Sequence, residues 1–320
     1  MGKTKTAIPA MAVFLLVFSV QGAAAGRWKP VVAGEWRVLY GPIKAGPRVN
    51  DHTVFQDING DYRFVGITSY PYQDLTSTYL GHATGDSLTE RFSELPVLFF
   101  DYPDLRPKWA PHVVVHAGTW HMYVGPGRIR HYISGDGINW TFHDYCIFPG
   151  WHAFRDTMVI ELPEGGWLMY CTDRDNTVSV YHSTDLYEWT DRGTAFRAVK
   201  PAAAYPSWFA ISSTESPFVV RYDGAYYLSV CLTSALEPET YAQTVVVRSE
   251  DPHDFGVYAA GAQGDTADLV TVIKAHAAEY IRVSEDKWYI TTCGWKEYEG
   301  VEGKIPGSVC IAELRWERAE

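Results

Sequence analysis

Short apolar or alternating runs, such as residues 226–232, 244–248 and 288–293, are separated by Gly, Asp and Asn turns. No stretch carries a convincing amphipathic-helix period, so the pattern predicts a chain that is mostly β. A turn of the form Gly-x-aromatic recurs along it: Gly60-Asp61-Tyr62, Gly118-Thr119-Trp120, Gly165-Gly166-Trp167 and Gly224-Ala225-Tyr226, with Asp286-Lys287-Trp288 as a variant. Apolar runs precede and follow these turns, which is the pattern of a hairpin. Most units then carry a second signature: Ser134-Gly135-Asp136 leading to Trp140, Ser183-Thr184-Asp185 leading to Trp189, and Ser249-Glu250-Asp251 leading to Phe255. Two hairpins per unit make four strands.

Five such units, none able to bury both faces of its sheet alone, predict an all-β five-bladed β-propeller of four-stranded blades. A two-sheet sandwich is the rival fold, but it does not require a five-fold repeat of one hairpin signature. The blades are expected to start near Asp51, Trp109, His152, Thr214 and Ala275, with residues 35–40 as a strand closing the ring. The long connections 70–108 and 193–213 are of the length that often carries function.

Counting back from the hairpin turns places Asp51 nine residues before Gly60, Asp156 nine before Gly165 and Glu215 nine before Gly224. The same offset reaches Trp109 and Ala277 in the other two units. The first strand of each propeller blade lines the axis, so three blades are expected to present a carboxylate at one level of the central funnel. Like charges at that spacing repel, and burial pushes at least one pKa upward. Unequal carboxylates are what glycoside hydrolysis uses: a protonated acid for the leaving oxygen and an ionised partner as nucleophile or base. The alternative is that acids simply favour the turns before strands.

Composition narrows the classes further. The chain has 320 residues, 47% of them hydrophobic, enough for a full core. Its net charge of -11, with no Lys/Arg cluster, argues against a nucleic-acid partner. Aromatic residues make up 15%, and Trp and Tyr faces are what sugar rings stack on. Residues 1–25 read as a secretory signal peptide: Lys3 and Lys5, an apolar run over 8–20, and Ala23-Ala24-Ala25 as cleavage site. The mature protein, residues 26–320, is then a single catalytic propeller domain, secreted or periplasmic, with no later stretch fit to span a membrane. The five cysteines lack CxxC spacing, and four lie in apolar strand-like runs, so free buried thiols are expected, with one bridge left open.

Motifs spaced one per unit are similar to those of the five-bladed propeller glycosidases of glycoside hydrolase families 32 and 43. Asn50-Asp51 resembles their first-blade acidic element, Trp109-Ala110-Pro111 the second-blade Trp-Ala-Pro of family 43, and Phe154-Arg155-Asp156-Thr157 the Arg-Asp-Pro element of family 32. Glu215-Ser216-Pro217 resembles the fourth-blade Glu-Cys-Pro or Glu-Gly-Pro, and His276-Ala277 stands where many relatives place an axial His. The resemblance implies Glu215 as general acid, Asp51 as nucleophile or general base, and Asp156 as the residue that orients and stabilises the oxocarbenium-like centre. Arg155 would hold a sugar hydroxyl or tune the acid. His52 and Thr157 depart from the family prolines, and His112 stands at a position often acidic in family 43. The β-sandwich that follows the propeller in family 32 is not expected. The mixed motifs assign neither family, and with it neither retention nor inversion.

Trp208 and Trp295 are sugar-stacking platforms on this reading, with a core role as the rival for each. His276 is an axial ligand or a neighbour of Asp51, with a hydrogen-bonded structural role as its rival. Other signals are set aside. Gly85-Asp86-Ser87-Leu88 lacks the βαβ setting and downstream His of an esterase. His112 and His116 lie on a strand-like run, about 13 Å apart, too far to share a zinc. Asn139-Trp140-Thr141 is a glycosylation sequon. The expectation is a glycosidase, metal-independent or metal-tolerant and without a cofactor, that cleaves a terminal bond of a furanoside such as a fructosyl or arabinofuranosyl unit. A glycoside phosphorylase, a sugar-binding propeller without activity and a structural surface protein with solvated acids are the rivals.

Overall fold

The computed structural model describes residues 26–41, 49–68, 79–98, 107–146, 155–173, 176–199, 212–234, 241–294 and 307–320. Two short strands, β1 (Trp28–Val32) and β2 (Arg37–Tyr40), precede the first blade. That blade is β3 (Val49–Gln56), β4 (Tyr62–Thr68), β5 (Leu80–Gly85) and β6 (Ser93–Leu98). The second is β7 (Trp109–His116), β8 (Thr119–Gly125), β9 (Ile129–Ser134) and β10 (Thr141–Cys146). The third is β11 (Arg155–Glu161), β12 (Trp167–Asp173), β13 (Thr177–Ser183) and β14 (Thr190–Ala198). The fourth consists of β15 (Ser212–Tyr222), β16 (Ala225–Ser234), β17 (Thr244–Ser249) and, after the short β18 (Val257–Tyr258), β19 (Asp268–Ile273). β18 runs parallel to β14 and extends the third blade. The last blade is β20 (Glu279–Arg282), β21 (Trp288–Thr292) and β22 (Val309–Arg318).

Each sheet is an antiparallel meander apart from β18, and the innermost strands β3, β7, β11, β15 and β20 surround one axis. This is the five-bladed propeller. The expected ring closure is observed and extended: residues 37–40 pair with β22, and so does β1, which the hydrophobic pattern did not single out. The first and last segments of the chain are thus laced into one sheet.

Burial explains the strand sequences. Middle strands are covered on both faces by the adjacent blades, so β8 and β12 are buried almost throughout, whereas the outer β6 and β10 alternate or lie exposed. Five apolar clusters fill the five interfaces. Phe55 and Val65 meet Met122 between the first two blades, and Tyr123 meets Met169 at the next. Tyr170 and Leu228 share a cluster between the third and fourth, Val246 and Ile290 between the fourth and fifth, and Tyr289 and Phe64 between the fifth and first.

The repeated turns also have physical causes. Ala117-Gly118 and Asp223-Gly224 are two-residue hairpin loops with positive φ at both positions, the geometry that matches strand twist. In the Ser-x-Asp signatures the carboxylate receives backbone N–H groups: Asp136 Oδ1 accepts from Ile138 and Asn139, and Asp185 Oδ1 from Tyr187 and Glu188. All five cysteines are buried and free, as expected. Among the described residues no helix is long and apolar enough to cross a membrane.

Leu314 on β22 pairs with Val32 and Trp288 and is buried in the cluster that joins the last two blades. Leu314→Ala should lower stability by about 2–5 kcal/mol, read as a fall in the urea midpoint at unchanged slope. Acid should also act on the buried imidazoles. Burial pushes His52 and His131 down to about 3, and His82, His112 and His121 down to about 4. Each binds a proton in the unfolded chain near its ordinary value of 6.5 but stays neutral in the fold. Their stabilising effect is therefore complete above that value and is lost as pH falls from it toward 3–4. A thermal midpoint that declines over this interval in wild type, and declines less in His121→Asn, is the expected result.

Candidate active site

The mouth of the axis is built by one irregularity repeated around the ring. At the head of each inner strand two residues oppose one on the neighbouring strand: Asn50-Asp51, Ala110-Pro111, Asp156-Thr157 and Ser216-Pro217. In the fifth blade Cys293 N donates to His276 O and Glu279 pairs with Thr291, which leaves Ala277-Ala278 in the same place. The first bulged residue has positive φ in four blades: Ala110 at 45°, Asp156 at 55°, Ser216 at 50° and Ala277 at 46°. None of these is glycine, and a left-handed residue of this kind is held by its surroundings at a cost of about 1–3 kcal/mol. Bulges bend a strand and re-aim its side chains.

This register corrects the expectation that the three carboxylates share one level. Glu215 is the last regular residue before its bulge, in the same place as Trp109 and Arg155. Asp156 is the first bulged residue of its strand and Asp51 the second. The count from the turn is offset for two reasons: blade four has a two-residue loop while blades one and three have five-residue loops, and the regular run after the bulge is one residue shorter in β11 (158–161) than in β3 (52–56). The acids occupy three successive positions, and the bulge brings them together.

Hydrogen bonds join them. Arg155 Nη1 donates to Asp156 Oδ2 at 2.5 Å, and Nη2 reaches Glu215 Oε1 at 3.3 Å and the Thr214 carbonyl at 3.3 Å. Asp156 Oδ2 also accepts from Thr172 Oγ1 at 3.1 Å and from Ser216 N at 3.3 Å. The Ser216 hydroxyl donates to Asp51 Oδ1 at 2.5 Å. The acids differ in access to solvent: the side chain of Glu215 is 22% exposed, that of Asp51 13% and that of Asp156 2%.

Burial raises Asp51 to about 6, with the Glu215 charge adding to it and the Ser216 and Arg155 contacts opposing it. Burial raises Asp156 to about 7, against the Arg155 guanidinium and with the repulsion of Asp51 and Glu215. Arg155 is the cation of this cluster, and all three acids raise its pKa. His276 is fully buried behind Asp51. Its Nδ1 donates to the Tyr241 carbonyl at 2.8 Å, its ring stacks on Tyr241 at 3.7 Å, and its Nε2 stands 3.9 Å from Asp51 Oδ1. Burial alone would push this imidazole down, but Cys231 and the Glu215 charge outweigh it and the net shift is upward.

Five of the residues singled out in the sequence, Asp51, Arg155, Asp156, Glu215 and His276, therefore meet at one place. Trp208 and Trp295 lie outside the described residues. Sequence reasoning passed over Ser216, which links two of the acids although it lies inside the Glu-Ser-Pro motif, and Thr172, whose threonine carries no signal of its own. It also missed Glu279, which lines the same cavity as Asp51 and Asp156. Among the described residues no group of three or more His, Cys, Asp and Glu is arranged to hold a metal ion.

The chain has the five-bladed propeller architecture seen in glycosidases of family 43. Among solved structures it is similar to an exo-1,5-α-L-arabinanase from a bovine ruminal metagenomic library, at TM-score 0.62 and 16% identity over 85% of this chain and 94% of that one. It is also similar to a family-43 β-xylosidase/α-arabinofuranosidase from a compost microbial metagenome (TM-score 0.57, 13% identity, 89% of this chain and 95% of that one). The Bacillus subtilis arabinanase superposes at TM-score 0.58 and 12% identity over 83% of this chain and 94% of that one. No family model matches the chain, and no curated protein sequence matches it.

The raised pKa of Asp51 has a sign that can be tested. The folded state holds this proton up to about pH 6 and the unfolded chain only to 3.8, so the group's contribution to stability is full below 3.8 and is lost as pH rises through 6. Asp51→Asn should therefore raise the thermal midpoint at pH 8 by a few degrees relative to wild type, with the difference shrinking toward pH 4.

Proposed function

We propose that the protein is a glycoside hydrolase whose reacting groups are Glu215 and Asp51. The observation that carries this reading is the linkage of three carboxylates from three blades, through Arg155 and Ser216, at the mouth of the propeller axis. Glu215, the most open of the three, is the general acid that protonates the departing glycosidic oxygen. Asp51 is the nucleophile or the base for water. Its pKa near 6 requires a working pH above that value for the carboxylate to be ionised. Asp156 is enclosed by three donors on one oxygen, which suits orientation of the sugar and stabilisation of the oxocarbenium-like centre rather than proton transfer. Arg155 holds Asp156 and Glu215 in register with each other.

The likeness to arabinanases and to a xylosidase/arabinofuranosidase supports a furanoside, with arabinofuranosyl units first, cleaved at a chain terminus. The signal-like segment 1–25 supports action outside the cytoplasm on plant or microbial polysaccharide.

The test is release of aglycone from a panel of aryl arabinofuranosides, fructofuranosides, xylosides and galactosides. Glu215→Gln and Asp51→Asn should each lower kcat/KM by about 10²–10⁴-fold with the circular dichroism spectrum intact. The acid limb of the wild-type profile should fall near pH 6. Absence of turnover on every substrate, with sugar binding still measurable by calorimetry, would replace the hydrolase with a sugar-binding propeller.

A further inference from the structure

Below the bulges, the next residue of each inner strand faces the axis: His52, His112, Met158, Phe218 and Glu279. These five side chains form the floor of the funnel, and Asp51 and Asp156 line the same cavity above them. Four members of the layer carry no charge. Met158 and Phe218 are apolar, and burial keeps the imidazoles of His52 and His112 neutral. Glu279 is the one acid in the layer.

No Lys or Arg lines the cavity with Glu279, and the His276 imidazole on the same segment, shifted upward, stands at Asp51, 3.9 Å from its Oδ1. From β3 it faces Asp51 and His52, from β7 His112, and from β11 Asp156. β15 contributes Ser216, Pro217 and Phe218, none of which titrates in this range. Beyond β21 stands the Cys293 thiol, which burial pushes well above its usual value. The Thr291 hydroxyl, opposite Glu279 in the sheet, is engaged with His52 Nε2 at 2.8 Å. The Arg155 guanidinium is already committed to Asp156 and Glu215. A charged Glu279, itself half-buried, would add a further negative group to a cavity that already holds two aspartates, and carboxyls in that situation share their protons.

We propose that Glu279 is a positioning residue of the hydrolytic site: a carboxylic acid kept neutral under Asp51, whose O–H dipole stabilises the negative charge that Asp51 must carry. This rests on the hydrolase reading for its purpose, but not for its physical content. Burial, and then the charge of Asp51, push the Glu279 carboxyl well above the ordinary carboxylate range, in the direction this arrangement needs.

The experiment is a carboxyl-carbon NMR titration of protein labelled at the side-chain carboxyls of Glu and Asp, with Glu279→Gln and Asp51→Asn used to assign the two resonances. One Glu carbon in wild type should keep the shift of a neutral acid to above about pH 7, against an ordinary Glu value of about 4.3. Glu279→Gln, which keeps a neutral polar group, should leave the Asp51 midpoint within about 0.3 units, whereas Glu279→Leu should raise it by about one unit. The proposal is overturned if every Glu carbon titrates below about pH 5.5, if Gln lowers the Asp51 midpoint by about a unit, or if Leu leaves it in place. The wild-type spectrum alone decides the first point should a variant fail to fold. A protein that hydrolyses nothing in the substrate panel can still give either spectrum, which separates failure here from failure of the hydrolase reading.

Discussion

Every blade of this protein is a sheet that is apolar on both faces, and the ring is the arrangement that covers all of those faces with a neighbour. That constraint brings five inner strands to one axis. A two-residue bulge heads each of these strands, and it recurs in every blade whether or not the blade carries a reacting group. Ala110 and Ala277 hold the same left-handed backbone as Asp156 and Ser216, so the conformation belongs to the fold rather than to the acids. Function has been placed on a distortion that the fold repeats in every blade.

The charges at the mouth then compete. Burial and mutual repulsion work against ionisation of Asp51 and Asp156, and Arg155 works for it. The Ser216 hydroxyl and N–H act in the same sense as Arg155, without adding charge, at Asp51 and Asp156. The result is three carboxyls of graded exposure, two of which, Asp51 and Asp156, hold their protons above the ordinary carboxylate range. Such a site is strained electrostatically at neutral pH, and the apolar interfaces of the blades supply the stability that holds it together.

How much of this could be read from the sequence depends on the length of the local pattern that encodes it. The blades were legible because Gly-x-aromatic and Ser-x-Asp turns have local backbone causes: positive φ at Gly118 and Gly224, and N–H capture by Asp136 and Asp185. The three acids were found by counting from those turns. Their relative register was not, because the loop of blade four is shorter than those of blades one and three and the regular run of β11 is one residue shorter than that of β3, differences as large as the single-residue steps that separate Glu215, Asp156 and Asp51 around the bulge. β1 went unread because Trp28–Val32 is short and finds its pairing partner at the opposite end of the chain. Glu279 was invisible for a similar reason. It lies two positions beyond the Ala277 that the nine-residue count selects, and its setting is made by residues from five other strands.

The fifth blade shows how closure and chemistry are connected. It carries none of the three acids, yet it supplies His276 behind Asp51 and Glu279 beneath it. It is also the blade assembled from both ends of the chain, with β1 and β2 paired along β22 and β22 against β21. His52 of the first blade reaches across this junction to Thr291 on β21, in register with Glu279. Thr291, which takes this contact between the first and last blades, and the residue proposed to set the charge of Asp51 are therefore cross-strand neighbours. Loosening the seam would disturb the electrostatics of the funnel together with the apolar cluster of Tyr289 and Phe64 at the same junction, so the integrity of the ring is a condition for Asp51 to keep its raised pKa.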